Sequence, residues 1–477
     1  MVPSNTPSNT PSTTPSDFPA PLDVASLRQR LETLAKAEGV GRWDLGAGCS
    51  TDTSVQVDRG DAKQMKGAQR SAITLRVWNG AGLVGITSTS DLSDLGLARA
   101  MAGARAASDF GNPDDVPAFS PLATAPLPPL DQPLQEPLSI LSLLDTLKEA
   151  EAELLQRHPA IATVPYNGLS QRSSERIYIN SDGACRHQEL TTASLYLYAR
   201  AEEAGRKPRS SGAMRVAYGA KDLDVAGCVA EAAERTISHL NYAPIDTGRY
   251  TCVFSPEAFL DLIGAFSSLF NARAVLDGVS LSKRESLGQP LAVPFLSIRD
   301  NGLHPGNVGA ARFDGEGTPS QCLPLVSEGV LVNFLHSEAT ARSFGVAPTG
   351  HAGLGAKVSV GPDWFEIGPS AGVPGGAEGL DHRTGSGPGV GGEGLVVIDS
   401  LSALHAGVKA SQGSFSLPFD GWWIHGGESR SIEAATVAGD IRTVLNSLVG
   451  FEGIAKVTPG GLCPWVWVEG LSVTGEA

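Results

Sequence analysis

The chain is poor in several features, and each shortage argues against a class of protein. Its six cysteines are scattered through 477 residues without a CxxC pair, unlike the framework of a small secreted disulfide-rich protein, so a reducing cytoplasm fits best. No apolar run approaches the roughly 20 residues of a membrane-spanning helix. The 36 basic residues are outnumbered by 51 acidic ones, and the net charge of -15 disfavours nucleic acid and anionic membranes as partners.

Glycine and proline, in contrast, are abundant, with 56 and 32 copies, and they divide the chain into segments. Residues 1–22 repeat Pro, Ser, Asn and Thr without the apolar core of a signal peptide, which predicts a disordered tail. Residues 112–137 form a proline-rich connection, and residues 368–394 form a Gly-rich loop that we expect to be flexible. The length predicts two domains, which we place at residues 23–245 and 246–477.

The first domain is predicted to be α+β, with helices and antiparallel strands. Apolar spacing and capping residues predict helices at residues 23–38, 90–108, 139–158 and 224–240. Alternating apolar residues on both sides of Asn79-Gly80 predict a β-hairpin. The segment Gly80–Gly85 also matches GxGxxG, a pattern of dinucleotide-binding loops, but a strand follows it instead of a helix. We therefore interpret it as a hairpin turn.

The second domain is predicted to be β-rich and barrel-like, with peripheral helices, so the whole chain belongs to the α+β class. Ser255-Pro256-Glu257 is a typical helix start, and the helix is predicted to continue to Asn271. Short alternating strands follow, and one late helix is predicted from Ala434 to Leu448.

A long ordered series of motifs runs through this second domain. An aspartate-containing strand from Ile298 leads through a Gly-rich stretch to Phe313-Asp-Gly-Glu-Gly-Thr-Pro319, then to a Val-Leu hairpin at Gly329, Thr340-Ala-Arg342 and Thr349-Gly350. The series resembles the TldD/PmbA (TldE) family of metallopeptidases, and in particular its PmbA/TldE subunit. The resemblance implies an N-terminal α/β domain, a C-terminal β-rich domain, and a TldD–TldE heterodimer that proteolyses or matures unfolded peptides.

The resemblance also implies where the family binds its metal. TldD carries a His-Glu-x-x-x-His helix and a C-terminal cysteine; imidazoles one turn apart share a helix face, and the glutamate can take a proton from metal-bound water. The corresponding helix here, Pro256–Asn271, has no histidine, and its carboxylates are Glu257 and Asp261. We therefore expect no catalytic residue and no metal on this chain, and a zinc-like ion in a TldD-like partner. Cys463 is interpreted as a buried thiol.

Other residue groups leave two interpretations open. Asp314 and Glu316 fit paired carboxylates for acid–base chemistry, but acids in a Gly-rich turn more often accept backbone N–H bonds, which is the favoured interpretation. No two of the nine histidines lie within one helical turn, so a metal site assembled from dispersed residues is disfavoured. Four tryptophans are interpreted as core residues more readily than as the lining of a peptide groove: Trp422, Trp423, Trp465 and Trp467.

The expected function is thus a PmbA/TldE-like, non-catalytic subunit that pairs with a TldD-like catalytic subunit and acts on unfolded peptides. The alternative is a stand-alone peptide-binding protein or homodimer without protease activity. A serine hydrolase is disfavoured because the sequence has no Gly-x-Ser-x-Gly elbow. Candidate peptide-binding or family-motif residues are Phe313, Asp314, Gly315, Glu316, Gly317 and Pro319.

Overall fold

The computed structural model describes residues 23–113, 116–353, 355 and 357–475. The predicted tail, residues 1–22, therefore lies outside the described residues. The first domain is built on a six-stranded antiparallel sheet in the order β3-β2-β1-β4-β5-β6. Its strands are β1 (Arg42–Asp58), β2 (Asp61–Trp78), β3 (Val84–Thr89), β4 (Ile161–Asn180), β5 (Cys185–Ala201) and β6 (Arg209–Ala217).

Four helices cover one face of this sheet: α1 (Val24–Ala37), α2 (Asp94–Ala107), α3 (Ile140–Gln156) and α4 (Val225–Ser238). Their apolar stripes meet inward-facing residues at alternate positions of the strands, such as Leu45, Leu75 and Leu195. All four helices begin within four residues of their predicted starts, and each has a side-chain N-cap, as in Asp23 accepting from Ser26 N at 3.0 Å. The opposite sheet face is more polar and meets the second domain.

The Asn79-Gly80 hairpin is confirmed, because Trp78 pairs with Val84 across the turn. Asn180 and Gly183 form the turn between β4 and β5. Both of these strands are long, at 20 and 17 residues. In the proline-rich connection, no helix or strand is found at residues 112, 113 and 116–137, the part that the structure describes.

The second domain contains a 13-stranded sheet, part of which closes into a barrel. Strand β8 (Gly248–Phe254) pairs with β13 (Leu395–Leu401) on one side and β19 (Gly461–Gly475) on the other. From β13 the ring continues through β15 (Ser414–His425) and β17 (Ala435–Asp440) back to β19. These five strands form a closed ring, so the barrel-like β-rich domain is confirmed.

The remaining strands extend the sheet beyond the barrel. They are β7 (Tyr242–Ala243), β9 (Leu296–Asn301), β10 (Cys322–Ser327), β11 (Val330–Leu331), β12 (Phe365–Pro369), β14 (Val408–Lys409), β16 (Glu428–Ile432) and β18 (Leu448–Thr458). The helices are α5 (Pro256–Ala265), α6 (Ala272–Leu276), α7 (Glu338–Phe344), α8 (Leu404–Gly407) and α9 (Ile441–Asn446). Helix α5 contributes Phe259, Leu262 and Ile263 to the large core shared with the barrel strands.

Two predicted helices of this domain need correction. The late helix, Ala434–Leu448, is wrong in its first half, because residues 435–440 are strand β17 and only Ile441–Asn446 are helical. Pairing of β17 with both β15 and β19 closes the barrel and overrides the helix propensity of this alanine-containing stretch. The helix from Pro256 ends at Ala265, and a 3₁₀ turn, Ser267–Phe270, replaces its last part.

The Gly-rich segment, residues 368–394, lies against the edge of the barrel. Ala377 N donates to Val449 O at 2.9 Å, and Phe451 N donates to Gly375 O at 3.0 Å. Leu380 also packs near the buried Trp467. No helix of the described residues is long and apolar enough to cross a membrane.

Candidate functional site

Helix α5 lies where the resemblance places a metal-binding helix, and its start is built from short-range signals. Ser255 Oγ accepts from Ala258 N at 3.0 Å and donates to Asp399 O at 2.6 Å, so the cap also fixes the helix to the end of β13. Pro256 occupies the first turn, where its missing N–H needs no partner.

Glu257, one of the two carboxylates on α5, forms ion pairs. Glu257 accepts from the Arg235 guanidinium of α4 at 2.7 Å, and the Lys456 ammonium lies 3.9 Å from its second oxygen. Burial and the charge of Glu257 raise the pKa of Asp261, one turn further along. Among the described residues, the clusters that could hold a metal ion contain no residue of α5. The helix thus links the two domains through Arg235.

Cys463 is fully buried in β19, and burial raises the pKa of its thiol well above the ordinary value. A thiol that stays protonated is a poor metal ligand, because the thiolate is the ligand form. Cys463 is also absent from the possible metal clusters of the described residues. Its environment therefore matches the interpretation as an inert core thiol.

The motif residue Asp314 is held in a tight turn. Its Oδ1 accepts from the backbone N–H groups of Glu316 at 2.8 Å and Thr318 at 2.9 Å, while Oδ2 accepts from Ala352 N at 3.0 Å. Burial raises the pKa of the carboxyl group, although these donors act in the opposite direction. This saturated arrangement is the structural role that the sequence favoured.

Glu316 lies at the joint between the domains. Its carboxylate accepts from Glu338 N at 2.7 Å and lies 3.8 Å from the guanidinium of Arg76 on β2. Arg76 in turn binds both oxygens of Asp44 on β1. Glu316 is only 1% exposed, and burial raises its pKa to about 7 despite the nearby guanidinium. The guanidinium of Arg76, from the other domain, therefore offsets only part of the effect of burial on the pKa of Glu316.

The other motif residues complete the joint. Gly317 has a φ of +78°, and a Cβ at this position would lie 2.4 Å from Cδ1 of Tyr178 on β4, so only glycine fits the observed contact. Phe313 is fully buried in a cluster with Tyr178, and its backbone bridges to Pro319. Gly315 N donates to Ala352 O at 2.7 Å. A peptide-binding role for the six candidate residues stays a prediction.

A cleft of about 520 Å³ lies between the six-stranded sheet and the second domain. Its floor is the polar face of the six-stranded sheet, where Ser54 pairs with Lys66 and Ser170, and Ser170 pairs with Ser194. Residues 306–309 after β9 and Pro459 form the opposite wall. The sequence analysis missed this cleft, because only the strand register places these small hydroxyl side chains side by side. The available signal was the run Ser50-Thr51-Asp52-Thr53-Ser54, in which four of five residues carry a hydroxyl group.

Trp467 matches the core interpretation, whereas Trp422, Trp423 and Trp465 are half-buried. Trp467 is fully buried with Val253, Leu395 and Val397, and Trp422 and Trp465 pack against this cluster. Trp423 packs against the large core of the domain.

The geometry defines an α+β protein in which a six-stranded sheet is joined to a β-barrel that carries the helix α5, and known proteins share this fold. Residues 247–475 match the model of the PmbA/TldA metallopeptidase C-terminal domain, and residues 128–240 match that of the central domain. These two matches cover most of the chain, so the chain belongs to the PmbA/TldD metallopeptidase family.

Individual relatives agree over nearly the whole length. Metalloprotease PmbA of Escherichia coli O157:H7 is 23% identical over 444 residues, which cover 90% of this chain and 91% of that protein. A proposed modulator of DNA gyrase from Thermotoga maritima has a similar crystal structure, with a TM-score of 0.82, 25% identity, and coverage of 94% of this chain and 100% of that one. TldE from Thermococcus kodakarensis shares the fold, with a TM-score of 0.76, 17% identity, and coverage of 94% and 100%.

Proposed function

We propose that this chain is a PmbA/TldE-like, non-catalytic subunit of a TldD/TldE-type heterodimeric metallopeptidase that proteolyses or matures unfolded peptides. The observation that carries the proposal is helix α5, which has carboxylates but no imidazole. Since a hydrolytic zinc site needs protein ligands around an open water position, the ion of the pair belongs to the TldD-like partner.

The contacts of α5 support this assignment. Glu257 is already engaged by Arg235 and Lys456, so it is not free to take a proton from a metal-bound water. Cys463 is buried as a neutral thiol in the strand beside the helix. The helix therefore serves to join the domains and fill the core.

Two features support a role in holding an extended peptide. The cleft of about 520 Å³ is lined by small hydroxyl side chains and by Lys66, Arg70 and Arg172. In the described part of the chain, residues 61–72 of β2 pair with β1 only, which leaves one strand edge free. Such an edge can accept an added peptide strand, while its lysines oppose unwanted pairing between copies.

Co-expression with a TldD-like protein from the same genome tests the proposal. We expect the two chains to co-purify and the pair to cleave an unfolded peptide, while this chain alone has no peptidase activity. Glu→Gln in the partner's His-Glu-x-x-x-His motif should abolish cleavage. The matched variant in this chain, Asp261→Asn, should leave cleavage unchanged, because α5 takes no part in the chemistry.

Three results would contradict the proposal. Cleavage by this chain alone would make it an enzyme in its own right, and loss of cleavage by the Asp261→Asn pair would place α5 in the reaction. If the chains do not associate and the partner's activity is unchanged by this chain, the heterodimer is excluded. A homodimer that binds unfolded peptide would then establish the alternative function.

A further inference from the structure

Three side chains that can bind a metal ion lie close together in the second domain, and none of them belongs to α5. Asp300 is on β9, His351 follows α7, and Asp363 precedes β12. One ligand atom from each lies within 4.8 Å of the others. His351 and Asp363 line a cavity of about 200 Å³ that is also lined by Arg176 from β4 of the first domain. The cluster therefore lies beside the domain joint.

His351 presents a free ring nitrogen to this cluster. Its side chain is 1% exposed, and Nδ1 lies 2.8 Å from the Thr349 hydroxyl. That hydroxyl donates to the carbonyl oxygen of His336, so Nδ1–H is the donor to Thr349 and Nε2 keeps its lone pair. Within the described residues Nε2 has no hydrogen-bond partner. A buried nitrogen without a partner is costly, which indicates a missing ligand.

Asp300 is fixed opposite this nitrogen. Its Oδ2 accepts from Asp363 N at 2.8 Å, and its Oδ1 accepts from Trp364 N at 3.2 Å. Oδ1 lies 3.6 Å from His351 Nε2, too far for a good hydrogen bond and close to the spacing of two ligands on one ion. These backbone bonds orient the carboxylate as outer-shell contacts orient metal ligands.

The charges around the cavity also favour a cation. Asp300, Asp314 and Asp363 contribute three carboxylates near His351, and Arg176 is the guanidinium that lines the cavity. With the imidazole in its neutral form, three carboxylates face one guanidinium, which leaves an excess of negative charge. Asp363 is exposed, which provides a route of entry for the ion.

We propose that Asp300, His351 and Asp363 bind one divalent cation of the Zn²⁺ class, with water in the remaining positions. One imidazole and two carboxylates suit such an ion. The ion would tie β9, the loop after α7 and the segment before β12 together beside Asp314. This proposal departs from the expectation that the chain binds no metal, and it is independent of the proposed partnership because it does not involve α5.

A second cluster provides the matched control. Glu175, His187 and Glu189 also place their ligand atoms within 4.8 Å, but all three are only half-buried. His187 already contacts Glu175 at 3.3 Å, so its imidazole is partnered. A variant of His187 removes an imidazole from the surface without touching the proposed site.

Zinc titration of the metal-stripped full-length protein tests the site. We expect one Zn²⁺ per chain by calorimetry and elemental analysis, and a melting temperature that rises with Zn²⁺ concentration. Asp363→Ala and His351→Gln should each weaken binding at least about 10-fold, whereas His187→Gln should bind as the wild type does. Asp363→Ala changes an exposed residue, so it keeps the test valid if the buried His351→Gln variant does not fold.

Unchanged binding in Asp363→Ala would overturn the proposal, as would a loss confined to His187→Gln. Absence of stoichiometric binding by the wild type would also overturn it and would leave His351 as a simple ion-pair partner of Asp300. None of these results bears on the heterodimer, which is judged by association and peptide cleavage.

Discussion

Replacement of Glu316 by glutamine tests whether burial or the Arg76 guanidinium has the larger effect on the ionisation of this acid at the domain joint. Burial raises the pKa of Glu316 from 4.5 to about 7, so the folded protein holds this proton more tightly than the unfolded chain does. Its stabilising contribution is therefore complete below the unfolded value and is lost as the pH rises through the folded value. At about 1.4 kcal/mol per pH unit, the full effect is roughly 3 kcal/mol.

The comparison needs the variant, because other groups titrate in the opposite sense. Burial lowers the pKa of His239 and of His336 to about 4, so their contributions are lost as the pH falls. Glutamine resembles the protonated acid and can still accept from Glu338 N. We expect the free energy of unfolding of Glu316→Gln, relative to that of the wild type, to rise by roughly 3 kcal/mol between pH 5 and pH 8.

Urea unfolding followed by tryptophan fluorescence, repeated across this pH range, measures the difference in free energy of unfolding. Glu378→Gln, at an exposed position, should give a flat difference and serves as the control. If the Glu316→Gln difference is also flat, or if the wild type gains with rising pH, Arg76 stabilises the ionised acid more than burial destabilises it. The reasoning about this joint would then be refuted.

Three substitutions probe other contacts by denaturation. Gly317→Ala should destabilise the fold by more than about 1 kcal/mol, because its Cβ meets Tyr178 at positive φ, whereas Gly41→Ala enters open space and should not. Arg76→Met should lower the free energy of unfolding by about 3–5 kcal/mol, because the carboxylate of Asp44 is then buried without its partner. A loss below about 1 kcal/mol would show that water reaches the pair. Ser255→Ala should cost about 1 kcal/mol through the lost α5 cap, and an unchanged midpoint would contradict that role.

Local chemistry explains what could be predicted from the sequence. The first four helices carry their own caps and apolar stripes, and Asn79-Gly80 supplies the turn that its hairpin needs. Asp314 sits among glycines that leave its neighbouring N–H groups free to bind it, so the structural interpretation of this acid needed no distant partner. The absence of histidine from α5 is likewise a property of the sequence alone.

Tertiary structure decided the features that depend on pairing between distant segments. Residues 435–440 are a strand because β15 and β19 both pair with them, a contact that outweighs local helix propensity. The raised pKa of Glu316 arises from burial between two domains. The cluster of Asp300, His351 and Asp363 has no recognisable spacing, since separate strands and loops bring its members together. The sequence by itself determined the first four helices, the start of α5, the turns and the absence of histidine from α5, because these depend on neighbouring residues. The fold determined the barrel, the joint and the candidate cation site, because these depend on long-range register and burial.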